Sequence, residues 1–222
     1  MPSNVTYEYI KQNPDVMTYI RYADAAVGAQ GFTEHSFAHV EKVAASVKMI
    51  MEGLGFPSRE VELGMIAAYL HDIGNVINRD DHAQSGAVMA FKLLSGMNMP
   101  ADEICKVIAA IGNHDEATAQ PLNRMCSALI IADKTDVRRS RVRNCDEITF
   151  DIHDRVNYAV TESSLKFNED KTALVLDLTI DNEISSVMEY FEIFMNRMLL
   201  CRRSAERLGV SFRMTVNGSV VI

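Results

Sequence analysis

The segment AAYLHDIGN, residues 67–75, begins as an apolar helix through Ala67, Ala68, Tyr69 and Leu70 and then sets His71 beside Asp72. Burying even a neutral polar group unpaired costs roughly 2–7 kcal/mol, so two ionisable neighbours in an apolar run need a hydrogen-bond network or a cation. Residues of the same chemistry recur. His39 lies within the apolar-striped HSFAHVEKVAASVKMI, and Asp133 follows Leu129, Ile130, Ile131 and Ala132, where a carboxylate on a buried helix needs a strong partner. Imidazoles and carboxylates brought from separate helices to one point, with a position open for water, are what a catalytic divalent metal requires. Any one of the 6 histidines alone reads as a packed or surface residue, but the set His39, His71, Asp72 and Asp133 does not.

Helices must position these residues. Apolar spacing predicts a helix near 6–28, broken by Gly31, and Thr33 is suited to cap a second helix running to about Leu54, with Val40, Val43, Val47, Ile50 and Met51 on one stripe. A third helix over about 58–73 stops at Gly74. Asp80 and Asp81 are suited to cap another over 82–95, Pro100 precedes one over 101–112, SALIIADKTDVRRSRV reads as a helix from about 122, and a further helix is expected over 152–163. The pattern then changes. SLKF, NEDK and TALVLDLTI read as a hairpin, residues 184–208 as an amphipathic helix, and SFRMTV, Asn217-Gly218 and SVVI as a second hairpin. The expected fold class is mainly α: an all-helical core over residues 1–163 and a small α+β, βαββ-like subdomain over 164–222. That subdomain has up to four strands under one helix. Its plainest role is to cover the core, although exposed sheet edges can pair with a second copy of the chain to form a homodimer or hold an effector.

The chain has 222 residues, a formal net charge of −8 and a pI near 5.3, which argues against a general grip on nucleic acid or an anionic membrane and for a small substrate. No run approaches the roughly 18 apolar residues of a membrane span, and MPSNVTYEYI lacks the start of a signal peptide, so a cytoplasmic protein is expected. Cys105, Cys126, Cys145 and Cys201 form no C-x-x-C pair and read as reduced thiols.

HVEKVA at 39–44, LHDIG at 70–74 and IADKTD at 131–136, in that order, resemble the HD-domain superfamily of metal-dependent phosphohydrolases, whose pattern is H…HD…D on an all-α core. The resemblance covers about residues 33–140. It implies that His39, His71, Asp72 and Asp133 hold one metal, with Asp72 able to bridge to a second. Many members carry two further histidines, for which His82 in DDHAQSGA and His114 in IGNHDE are suited. One or two divalent ions are therefore expected, from among manganese, iron, magnesium, nickel, cobalt and zinc. The HD-GYP subtype has a lysine directly after HDIG and a later double histidine. Asn75 and Asn113-His114 stand at those places, so cyclic dinucleotides are not the expected substrate. His35, four residues before His39 and expected on the same helical face, could serve as a donor behind the ligands, with packing or surface the simpler role for it and for His153.

After Asp133 comes a basic run with Lys134, Arg138, Arg139, Arg141 and Arg143. These cations either clamp substrate phosphates or form a solvated face, and not all five can reach one metal. The resulting expectation is hydrolysis of a phosphomonoester or phosphoanhydride, of the nucleotide class, by metal-activated water, with Asp72 at the reacting centre and Lys134 and Arg138 stabilising developing charge. Two readings compete with it. One is a di-iron oxygenase on the same ligand set, and the other a nucleotide-sensing module without turnover.

Overall fold

Asn13 and Pro14 divide the first expected helix. In the computed structural model, which describes residues 5–143 and 151–222, α1 (Tyr7–Lys11) stops and α2 (Pro14–Ala29) restarts. Pro14 occupies the first turn, where its missing N–H is not needed, and Asn13 Oδ1 accepts from the backbone N–H groups of Asp15 and Val16 at 3.0 and 3.1 Å. Cys145 lies outside the described residues.

α3 (Phe37–Gly53) is capped by Ser36 rather than Thr33: Ser36 Oγ accepts from Ala38 N at 3.2 Å. His35 therefore precedes the helix and does not share its face with His39. α4 (Ser58–Leu70) lies against α3, with Gly64 at the crossing, where a Cβ would stand 2.5 Å from Met51 Sδ. A 3-10 turn over Ile73–Val76 leads to α5 (His82–Gly96), which starts after Asp81 in the left-handed region (φ 57°) and has no side-chain cap, contrary to the role expected of Asp80 and Asp81. α6 (Ala101–Gly112) follows.

α7 (Arg124–Lys134) is capped by Asn123 and is shorter than its apolar run suggests. Thr135 Oγ1 donates back to Ile131 O at 2.7 Å and Asp136 is taken up by α3, so the chain turns and makes a separate 3-10 turn at Arg139–Arg141. α8 (Ile152–Ala159) also ends early. Val160 already pairs with Ile180, so β1 (Val160–Phe167) replaces the expected last helical turn.

The C-terminal unit is ββαββ. β1 and β2 (Ala173–Ile180) are antiparallel, β2 and β3 (Ser211–Val216) parallel, and β3 and β4 (Ser219–Val220) antiparallel, in the order β1-β2-β3-β4. A parallel pair requires a crossover, and α9 (Val187–Leu208) supplies it. Asn217 (φ 51°) and Gly218 (φ 79°) make the tight final turn. One face of α9, including Tyr190, Phe194, Met198 and Cys201, is buried, and the helix packs on α7 as well as on the sheet. The fold is thus mainly α, with a small sheet after a helical core. No helix among the described residues is long and apolar enough to cross a membrane.

Candidate metal centre

Six side chains from five segments converge, and each sits near a helix end. His39 is in the first turn of α3, His71 caps the C-terminus of α4 with Asp72 next, His82 opens α5, His114 follows α6, and Asp133 lies in the last turn of α7. Gly74 makes the convergence possible. A Cβ there would stand 2.0 Å from His82 O and 2.5 Å from Gly86 N, so only glycine lets the turn after Asp72 lie against the first turn of α5. His39, His71, Asp72, His82 and His114 are all buried.

The hydrogen bonds on the outer side of each ring fix its tautomer. His39 Nδ1 faces Asp136 Oδ2 at 2.8 Å, His71 Nδ1 faces Ala68 O at 2.6 Å, His82 Nδ1 faces Arg79 O at 2.9 Å, and His114 Nδ1 faces Ile111 O at 2.6 Å. All four partners are oxygens that only accept, so Nδ1 carries a hydrogen and Nε2 faces inward, open to a metal or, without one, to a proton. His39 Nε2 and His71 Nε2 accordingly have no hydrogen-bond partner among the described residues, although carboxylate oxygens stand close by. His82 Nε2 and His114 Nε2 face one another at 3.2 Å. Lone pairs turned on lone pairs inside a buried site repel unless a cation lies between them.

Asp72 divides this cluster in two. Its Oδ2 lies 3.6 Å from His39 Nε2 and 3.1 Å from His71 Nε2, while its Oδ1 lies 3.5 Å from His82 Nε2 and 3.8 Å from His114 Nε2. Asp133 Oδ1 completes the first lobe, 3.4 Å from His39 Nε2 and 3.6 Å from His71 Nε2. Donors about 2.1 Å from a single ion lie roughly 3.0–3.4 Å apart at octahedral and tetrahedral angles, so these spacings match a ligand shell with little adjustment. The groups His39–His71–Asp72, His71–His114–Asp133 and Asp72–His82–His114 each bring their donor atoms within 4.8 Å of one another. The residues present fit a divalent ion, and mixed imidazole and carboxylate donors suit first-row metals.

Titration of the metal-free cluster is correspondingly uneven. Burial disfavours a proton on His71, but Asp72 and Asp133 outweigh it and hold the ring up to about 10. Burial, with His114 and Arg79 adding to it, holds His82 down to about 4 in spite of Asp72, and burial also lowers His114. Burial alone would raise Asp72 and Asp133, yet His71 and His35 hold Asp72, and Lys134 and His39 hold Asp133, well below the usual carboxylate range. The carboxylates stay charged, and one imidazole takes a proton where a metal would stand.

Asp136 is the residue that reading the sequence for ligands passes over. Buried three positions beyond Asp133, it orients His39 and is itself held by Lys42 at 3.1 Å and Arg138 at 3.0 Å. Its only signal in the sequence is that spacing within IADKTD. Lys134 is buried with Nζ 2.7 Å from Asp133 Oδ2. Arg138 is not brought to the centre: its guanidinium goes to Asp136, Glu34 and Ser140. Asn75, by contrast, donates to Asp72 Oδ1 at 3.0 Å and accepts from Arg79 Nη1 at 3.1 Å.

A cavity of about 230 Å³ opens over the cluster, with Asp72, His82, His114, Asp133 and Lys134 in its wall. His35 reaches it from the segment before α3, its Nδ1 donating to Thr33 O at 2.7 Å, and burial holds its proton affinity well below the usual imidazole range. The C-terminal part of the chain does more than cover the core: His153 and Asn157 of α8 and Phe194 and Arg197 of α9 also line the cavity. The sequence gives His153 a packing or surface role and does not signal the other three, because their helices reach the cavity only through tertiary packing.

Residues 36–138 match the family model of the HD domain, a span that contains all six convergent residues. Over that stretch, a little under half of its length, the chain is similar to the HD domain. An uncharacterized protein of Methanocaldococcus jannaschii is 25% identical over 201 residues, covering 80% of this chain and 76% of that one. The crystal structure of a predicted HD superfamily hydrolase from an uncultured Thermotogales bacterium shares 25% identity at a TM-score of 0.44, covering 56% of this chain and 67% of that one.

Proposed function

We propose that the protein is a metal-dependent phosphohydrolase that cleaves a phosphomonoester or phosphoanhydride of a small substrate of the nucleotide class. The observation that carries this reading is the division of Asp72 between two pairs of imidazoles whose Nε2 atoms face it, with Asp72, His82, His114 and Asp133 in the wall of a cavity also lined by cations. His39, His71, Asp72 and Asp133 would hold one ion, and His82 and His114 together with Asp72 would hold a second. Ions bound there supply Lewis acidity toward water and phosphoryl oxygens.

The chain's own groups do the rest. Lys134 and Arg79 bring positive charge to the cavity wall, where a phosphoryl group gains negative charge on its outer oxygens. Arg138 acts at one remove, keeping Asp136 charged and aimed at His39. At about 230 Å³ the cavity is smaller than the roughly 300–1,000 Å³ of drug-sized pockets, so it takes the phosphorylated end of a substrate and leaves the remainder near the rim. Phe32 lies there, 42% exposed, with Arg79 5.5 Å from its ring centre, and offers a face on which a base can stack.

The test is metal content by mass spectrometry on untagged protein and an Asp72→Ala variant, followed by phosphate release across a nucleotide panel. One or two equivalents of metal, lost in the variant together with phosphate release, are expected. Metal without release from any compound would overturn hydrolysis and favour the oxygenase or sensor readings. A protein that takes up neither manganese nor iron would overturn the metal centre itself.

A further inference from the structure

Four cations line the cavity, and their engagement differs. Lys134 Nζ is neutralised by Asp133 at 2.7 Å. Arg141 is buried, its Nε donating to Glu34 O at 2.9 Å and its Nη1 to Asp136 O at 2.8 Å. Arg79 stands at the metal end, with Nη1 3.4 Å from His82 Nε2. Arg197 is different. Only its Nε is taken, by Glu116 Oε2 at 2.7 Å, and its guanidinium carbon lies 4.5 Å from the centre of the Phe194 ring.

That arrangement fixes the plane of the guanidinium from two sides and leaves both terminal nitrogens without a protein acceptor among the described residues. An arginine held in this way has little rotamer freedom left to lose, and its fork matches two oxygens of a phosphate. Arg197 also lies outside the segment that matches the HD domain. Its helix, the crossover of the C-terminal sheet, brings it to the cavity from the opposite part of the chain.

We propose that Arg197 binds a second, non-reacting phosphate of the substrate, so that the site selects phosphoanhydrides over simple phosphomonoesters. The inference rests on the reading above that the metal end receives a phosphoryl group. Arg79 and Lys134 serve that group, and the fork of Arg197 is left for its neighbour.

The alternative is that Arg197 only clips α9 to the segment after α6 through Glu116. Equilibrium binding separates the two, using inorganic pyrophosphate and orthophosphate on manganese-loaded full-length protein, wild type against Arg197→Gln and Arg197→Lys, with thermal melts alongside. Lysine keeps an ion pair with Glu116 but has no fork. Both variants are expected to lower the ratio of pyrophosphate to orthophosphate affinity by about tenfold or more, with the melt recovered in Arg197→Lys. A ratio unchanged in both variants, full recovery of the ratio by lysine, or failure of the wild type to bind pyrophosphate would overturn the proposal. Hydrolysis is scored separately: no phosphate release with an Arg197-dependent ratio removes the phosphohydrolase reading and leaves the anion site standing.

Discussion

At Asp72 four imidazoles turn their Nε2 atoms toward a common centre, two of them without a hydrogen-bond partner among the described residues, whereas just beyond Asp133 a run of cations is engaged by the chain's own acceptors. Arg138 reaches Asp136 and Glu34, Arg141 reaches Glu34 O and Asp136 O, Arg139 Nε donates to Tyr158 O at 2.6 Å, and Arg143 reaches Phe32 O and Asp24. Both regions are conspicuous in the sequence for their charge. Only the first presents like against like, lone pair to lone pair, and so requires something from outside. The second closes on itself. It fastens the segment between α2 and α3 to the end of α7, and in doing so holds His39 and the Phe32 rim in place. What distinguishes a ligand-binding charge from a structural one here is whether its counter-group is already present.

The severest way to break this contrast acts on the close approach that assembles the centre. Gly74→Ala drives a methyl group into His82 O, which backbone cannot avoid without moving α5. Overpacking costs about 1–3 kcal/mol and sometimes more, and the upper end is expected, with a melting temperature lower by roughly 6–12 °C in a chain of this size. Circular dichroism melts and metal analysis would show both defects together. A variant that melts like the wild type and retains its metal would mean that His82 does not depend on this approach.

How much of this was legible beforehand follows the same division. His71, Asp72 and Asp133 could be read from the sequence because each ends an apolar, helix-periodic run, where a polar residue is out of place. His39 opens such a run, and His82 and His114 come only with the family resemblance. Helix periods likewise placed α3 to α6 closely. The acceptors of the basic run could not be read, since Arg138 meets Glu34 across 104 positions and His39 meets Asp136 across 97. The early ends of α7 and α8 have the same origin: a distant partner claims Asp136 in one case and Val160 in the other. Phe194 and Arg197 carry the lesson furthest. On their own helix they read as an ordinary apolar stripe with a charged neighbour.

Asp136 belongs to both regions, so changing it sharpens the comparison at an intermediate scale. Asp136→Asn weakens the orientation of His39 and is expected to lower metal affinity about tenfold, measured by competition with a chelator. It also alters acid stability. Burial would raise the carboxyl, but His39, Arg141 and Lys42 outweigh it and hold it far below its ordinary value of 3.8. A depressed acid contributes stability that is fully present above the unfolded value and is lost as pH falls below it. The metal-free wild type should therefore lose stability from about pH 4 downward at up to about 1.4 kcal/mol per pH unit from this one group. Asp136→Asn should be less stable at pH 7 and show a shallower acid limb in urea titrations. Parallel limbs would show that Asp136 is not held charged by this network.

The smallest effect is expected at Arg138, and it tests the contrast from the other side. If the basic run is a clasp, Arg138→Gln removes contacts to Asp136 and Glu34 at a partly exposed position and costs about 1 kcal/mol, a shift of roughly 2–4 °C in melting. Orthophosphate affinity of the manganese-loaded protein should then stay within about twofold, because the guanidinium faces Asp136, Glu34 and Ser140. Arg79→Gln, at the metal end of the cavity, provides the matched control and should weaken the same probe about tenfold. An Arg138 variant that melts normally but loses phosphate would reverse the assignment. The clasp would then be a contact made only until substrate arrives, and the acceptors that fill it would be stand-ins for phosphate oxygens.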